Sequence, residues 1–298
     1  MGGIIGPKGD IMKVYFTEKQ VADSGSFSPS ASKPAQVVEA WLAAGFDIEI
    51  VRPGPVTRAD FCLAHDAAYV KGVLSCTKNN GFGNTSREVA DSLPYTTGSL
   101  VAAAKSAFKS GTVTVSPTSG FHHAGYGNGG GFCTFNGLIV AAQKLKNETT
   151  CGKVGILDLD NHFGNGTEDI IKKLKLDYIE HFSGGASYHK PKQAEPFLSM
   201  LPEMLRDKFR YCDIVIFQAG ADPHIDDPLG GWLTTEQMAE RDRIVFEVMK
   251  EMGIPVVWNL AGGYQVEKDG SIPKVLELHS NTMRICLEVH AKEEDKVA

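Results

Sequence analysis

Seven short runs of β-branched or apolar residues recur along the chain, at 12–16, 46–51, 112–115, 154–159, 177–179, 213–218 and 255–260. Most are of strand length and are bounded by turn-forming or polar residues, so each reads as a strand. Between most of them lie segments with helical spacing of apolar positions, at 35–44, 65–75, 99–109, 137–146, 167–174, 195–209 and 236–252. In the last of these, Met238, Val245, Val248 and Met252 share a face. Thr234 and Gln237 form a capping box before it, and Gly253 followed by Pro255 ends it. Buried strands alternating with amphipathic helices predict an α/β fold, with a mostly parallel central sheet covered on both faces. No Pro/Ser-rich linker or internal repeat interrupts the alternation. The sequence therefore reads as one domain over 12–298 behind a Gly-rich flexible leader at 1–11.

Composition narrows the functional classes. The 298 residues are enough for two domains at ~150 residues each, but the unbroken alternation favours one. Hydrophobic residues at 42% and charged residues at 22% exclude a disordered or fibrous chain. The formal charge of -6, with no Lys/Arg-rich run, argues against nucleic acid as a partner. No window approaches the ~18 apolar residues of a membrane span. Six scattered cysteines without a Cys-x-x-Cys pair point to a reducing compartment, and hence to the cytoplasm.

In open α/β sheets, ligands bind beyond the C-terminal ends of the strands, and polar residues gather at four of these. The run ending at Leu159 leads into Asp160-Asn161-His162, and the one ending at Val115 leads to His122-His123. The run ending at Gln218 leads to Asp222, and the one ending at Leu260 leads to Tyr264. Asp160 and His162 are two apart, so in extended backbone both side chains point the same way and can address one ion. An isolated Asp-x-His is more often a turn or cap; its place at a strand end is what favours a ligand pair. Asp222 offers a third ligand, the one-imidazole, two-carboxylate set of a catalytic zinc site. Asp158 can orient a neighbouring imidazole from behind. The paired His122 and His123 suit proton transfer near neutral pH. Among the remaining histidines, His65, His181, His189 and His224 read as structural. Asp226 and Asp227 read as turn caps before rim acids, and Glu88 and Asp91 have no firm assignment.

Five ordered strings carry a resemblance: Gly120-Phe-His-His-Ala124, Gly131-Phe-Cys-Thr-Phe-Asn136, Asp158-Leu-Asp-Asn-His-Phe-Gly-Asn-Gly-Thr167, Ala219-Gly-Ala-Asp222 with Asp227-Pro-Leu-Gly230, and Gly262-Gly-Tyr264. Over roughly 60–265 the chain resembles the zinc-dependent histone deacetylase and acetylpolyamine amidohydrolase family. The resemblance implies an arginase/deacetylase-type sheet and removal of an acyl group from an alkyl amine, such as acyl-lysine in a peptide or an acetylpolyamine. It implies one Zn2+ held by Asp160, His162 and Asp222, polarising the amide carbonyl and activating a water. It further implies His123 as the base, oriented by Asn165, and His122 as an electrostatic or acidic group, oriented by Asp158. Tyr264 would donate to the oxyanion, and Gly131 and Phe132 would wall the channel.

Several positions depart from the family pattern. The segment that often reads His-Pro-x-x-Pro-x-Arg is Ser26-Phe-Ser-Pro-Ser-Ala-Ser-Lys-Pro34, without the arginine. Phe163 replaces a second histidine, and Ile179 aligns with a serine involved in monovalent-cation binding. A structural K+ on the carbonyls of Asp158, Asp160 and His162 is implied less firmly. Two other classes compete with this reading. A dimetal, arginase-like ureohydrolase needs further carboxylates, yet Gly164 and His224 stand at the same-facing positions. A non-catalytic acyl-amine binder predicts loss of Tyr264 or a histidine, and all three are present. The sequence leaves a homo-oligomer open.

Overall fold

The computed structural model describes residues 11–290, so the leader expected at 1–11 falls, apart from Ile11, outside the described residues. The seven strands are β1 (Met12–Tyr15), β2 (Ile48–Val51), β3 (Thr114–Ser116), β4 (Val154–Asp158), β5 (Ile179–Ser183), β6 (Ile214–Gln218) and β7 (Val256–Asn259). They form one sheet in the order β2-β1-β3-β7-β6-β4-β5, and every pairing is parallel. The α/β reading of the sequence is the observed architecture.

Alternation along the central strands divides the interior into two apolar layers. In β6, Val215 and Phe217 face one layer while Ile214 and Ile216 face the other; in β7, Trp258 and Val257 divide the same way. The first layer is closed by α1 (Lys33–Ala43), α7 (Ala194–Phe209), α8 (Thr235–Glu251) and α9 (Pro273–His290). The second is closed by α3 (Ala67–Leu74), α4 (Arg87–Ser110), α5 (Gly137–Glu148) and α6 (Asn165–Leu174), with the short α2 (Arg58–Phe61) contributing Phe61. β4, β6 and β7 are buried at every position, which is why they read as continuous apolar runs.

Besides the short α2, which no expected helix covers, the structure departs from the sequence expectation at three elements. α4 begins at Arg87, twelve residues before the predicted start, and runs through Pro94. Ser86 caps it by accepting from Val89 N, and Val89, Ala90, Leu93, Thr97 and Leu100 keep a buried face across the proline. That burial offsets the ~3 kcal/mol that an interior proline costs. β5 lies at Ile179–Ser183 rather than 177–179; it is an edge strand, only its first residue is buried, and so it lacks an apolar run. α9 was not anticipated. Its stripe of Val275, Leu278, Met283, Cys286 and Val289 is broken up by polar residues.

The order β3-β7-β6-β4 sets four strand ends side by side. The segments that follow them are those carrying His122-His123, Tyr264, Asp222, and Asp160 with His162.

Candidate active site

The ends of β4 and β6 bring three ligating groups together. Oxygens of Asp160 and Asp222 and a ring nitrogen of His162 all lie within 4.8 Å of one another. His162 Nδ1 is 3.2 Å from Asp160 Oδ1 and 2.9 Å from Asp222 Oδ2. Its Nε2 is 2.9 Å from Leu229 O, which can only accept, so Nε2 carries a proton. In the neutral ring Nδ1 then presents a lone pair to two carboxylates, a donor set that a cation completes. The charges express the same demand. Burial, and then the proximity of Asp160, pushes the Asp222 carboxyl up to about 7. Hydrogen bonds to both carboxylates push the imidazole of His162 up to about 11. Asp160 is held well below the usual carboxylate range because His122 and His162 outweigh its burial. The donors fit a divalent ion of the zinc type.

Backbone donors fix these carboxylates. Asp160 accepts from His162 N (2.9 Å) and Gly262 N (2.8 Å), and Asp222 accepts from Asn161 N (3.1 Å). Asp158, fully buried at the end of β4, accepts from His122 Nδ1 (2.8 Å), Gln218 Nε2 (3.3 Å) and Asp160 N (3.2 Å).

The two histidines lie side by side, ring centroids 4.0 Å apart, with different partners. His122 is buried against the carboxylate of Asp158. Burial alone would lower its pKa, but Asp158 and Asp160 outweigh it and raise it to about 9. His123 contacts the neutral amide of Asn165, Nδ1 to Oδ1 2.6 Å, at the first turn of α6. Its pKa lies below the ordinary value, first through burial and then through His122, whereas the Asn165 contact acts in the opposite direction.

Gly131 packs against His123: a Cβ there would sit 2.6 Å from the ring's Cδ2, and its φ is +52°. The next residue, Phe132, also has positive φ, as do Phe121 beside His122 and Ala261 before Tyr264. Non-glycine residues in this region are strained, and three of the five among the described residues lie at this site. The Phe132 ring lies 5.5 Å from Tyr264 and 5.3 Å from Phe27, centroid to centroid. Tyr264 is buried, its hydroxyl pushed well above 10 by that burial, and its backbone N–H donates to Asp227 Oδ2 at 2.7 Å.

All ten residues singled out in the sequence thus belong to one neighbourhood. The remaining candidates fall around it. Asp227 is buried and caps the turn by accepting from Leu229 N, while Asp226 is exposed. Glu88 accepts from Asp23 N, and Asp91 pairs with Arg87 on the surface. His65 bridges Gly125 O and Asn136 N, and His224 contacts Thr235 and Gln265. Ile179 pairs with Val154, at the opposite end of β4 from Asp158. The residue in register with Asp158 is Ser183, so the alignment of Ile179 with a cation-binding position does not hold in space.

Sequence reasoning missed Lys33. Its segment was read only as lacking the family's arginine, yet Lys33 is fully buried at the start of α1, with Nζ donating to Ala261 O (2.7 Å) and Gly262 O (3.1 Å). Burial lowers its pKa to about 8 despite the carboxylates of Asp222 and Asp160. Arg241 was missed as well: it is buried behind the same strand ends.

Comparison with known proteins places this arrangement. The family model described as Histone deacetylase domain matches residues 29–193 and 187–278. An uncharacterized protein of Picosynechococcus sp. is 26% identical over 237 residues, 72% of this chain and 79% of its own length. Histone deacetylase 2 of Arabidopsis thaliana is 29% identical over 56% of this chain and 48% of its own. Acetylpolyamine amidohydrolase of Mycoplana ramosa is also 29% identical, over 50% of each. The match thus spans about half the length of these two named relatives. The crystal structure of an acetylpolyamine aminohydrolase from Burkholderia pseudomallei superposes with a TM-score of 0.71 at 17% identity, covering 93% of this chain and 99% of that one. The HDA15 HD domain gives 0.73 at 18%, covering 94% and 89%. At that identity the two structures speak to the fold, and the fold is the same. The family match covers most of the chain, and the chain belongs to the histone deacetylase family.

Proposed function

We propose that this protein is a zinc-dependent amidohydrolase that removes an acyl group, most simply acetyl, from an alkyl amine such as acyl-lysine or an acetylpolyamine. It would act in the cytoplasm as a single catalytic domain over 12–298. The observation that carries the reading is the convergence of Asp160, His162 and Asp222 within 4.8 Å, beside two histidines with contrasting partners. When bound there, zinc supplies Lewis-acid polarisation of the amide carbonyl and lowers the pKa of a water.

The chain's own residues would do the rest. Asn165 Oδ1 accepts from His123 Nδ1–H, which leaves Nε2 free to take a proton from the attacking water. Asp158 holds His122 in its protonated form, a positive charge beside the reacting carbonyl and a proton source for the departing amine. Tyr264, kept protonated by burial, donates to the developing oxyanion. Gly131 and Phe132 wall the passage that admits the alkyl chain. A potassium ion on the carbonyls of Asp158, Asp160 and His162 remains part of this proposal, with Ser183 in place of Ile179 as the side chain in register with Asp158.

A dimetal ureohydrolase is disfavoured, because among the described residues no second group of three such ligands comes together. A mere binder would not require the full set of His122, His123 and Tyr264. The test is to replace Asp160, His162 and Asp222 in turn by Ala. Each variant is expected to lose bound zinc, deacylase activity and hydroxamate binding together, and full metal content in all three would refute the assignment. Parallel assays on acetyl-lysine peptides, acetylated polyamines and longer acyl-lysines would then rank the substrates.

A further inference from the structure

Past the ends of β4 and β6 the sheet stops, yet two carboxylates on these separate extensions must keep a fixed spacing. The last register pair is Asp158 with Gln218, and the last rung is Leu159 N to Gln218 O at 3.1 Å. The β6 extension continues to bond towards β7, through Ala219 N to Asn259 O and Ala221 N to Gly262 O. Between the β4 and β6 extensions the next link is a side chain from α8. Arg241 Nη1 donates to Leu159 O at 3.2 Å and to Gly220 O at 2.9 Å, the carbonyls one residue before Asp160 and two before Asp222. Gly220 is pressed between both carboxylate residues: a Cβ on it would lie 2.7 Å from Asp222 Oδ1 and 2.8 Å from Asp160 Cα. Displacing that carbonyl would therefore displace both.

Arg241 is itself fixed. It is 1% exposed; its Nε donates to Asp242 Oδ1 at 2.8 Å, and Nη2 lies 2.7 Å from the same oxygen. Thr282 of α9 donates to the other oxygen of Asp242 at 2.6 Å. Its guanidinium carbon lies 6.0 Å from the centroid of the Phe217 ring. A planar fork with several donors can hold Asp242 and two carbonyls at once, whereas a single ammonium cannot do so in the same geometry.

We propose that Arg241 is a positioning residue for the metal: as a rung beyond the end of the sheet, it sets the separation of Asp160 and Asp222. This rests on reading those residues as metal ligands. Removing Arg241 alone would strand the buried Asp242, so the informative variant removes the whole pair, Arg241→Met with Asp242→Leu, a replacement that buried ion pairs tolerate. Arg241→Lys is the conservative control. Each is compared with the wild type by chelator competition for Zn2+, by the visible spectrum after Co2+ substitution, and by thermal melting.

The expected result is a double variant that melts near the wild type but binds zinc about 10-fold or more weakly, as loss of an outer support typically costs, with altered Co2+ bands. Arg241→Lys is expected to recover part of the affinity. Wild-type zinc affinity and Co2+ bands in the double variant would overturn the inference. If the double variant melts far below the wild type, Arg241→Lys decides instead: wild-type affinity and bands there overturn the inference, and weakened affinity in a stable protein upholds it. A wild-type protein that binds neither ion would overturn the metal reading itself.

Discussion

Tyr264 is fixed through its backbone. Its N–H donates to Asp227, and the carbonyls of Ala261 and Gly262 just before it are held by Lys33. Removing the hydroxyl therefore leaves these restraints in place. On the proposed mechanism, Tyr264→Phe lowers turnover ~100-fold or more, the usual cost of losing one oxyanion donor, while zinc content stays at the wild-type level. Unchanged turnover in steady-state assays would remove Tyr264 from the mechanism. At this scale the sequence was legible where a residue type carries chemistry, as with Asp160, His162 and the histidine pair. Lys33 and Arg241 were illegible for a physical reason: both act on backbone carbonyls, and a carbonyl leaves no mark on residue identity.

The strands were legible because six of the seven expected runs overlap the observed strands along most of their length and the central ones are buried on both faces. β5 was displaced because an edge strand needs fewer apolar residues. α9 went unread although Val275, Leu278, Met283, Cys286 and Val289 lie on its buried face. Its packing is testable through Met283, which is fully buried in the layer shared with α1, α7 and α8. Met283→Ala should cost about 2–5 kcal/mol of stability, read as a lowered urea midpoint. A change below about 0.5 kcal/mol, the range of surface substitutions, would mean that α9 is not docked as described.

Over the whole molecule, stability should fall on mild acidification, and His65 is one named cause. It is 1% exposed, donates through Nδ1 to Gly125 O and accepts at Nε2 from Asn136 N, so it must be neutral. Burial lowers its pKa from 6.5 to about 4. The unfolded chain thus binds a proton that the folded chain refuses. This contribution is complete above about pH 6.5 and is lost as the pH falls towards 4. The loss is on the order of 1–3 kcal/mol by linkage. Urea titrations at pH 7 and pH 4.5 should show a smaller pH-dependent loss in His65→Gln than in the wild type; equal losses would exclude His65.

The strand order has a consequence for synthesis. β7, made last of the seven, lies between β3 and β6 and joins β2-β1-β3 to β6-β4-β5. A nascent chain halted before residue 256 has two half-sheets, one ending in the unpaired β3 and the other in the unpaired, mainly apolar β6. Such edges are templates for wrong pairing. Ligands at 160, 162 and 222 would already have been synthesised, yet the backbone support that Gly262 gives to Asp160 and to Ala221 beside Asp222 would not. The growing protein is therefore expected to be most prone to aggregation just before its site can close, and β7 would complete the sheet and the catalytic centre in one step.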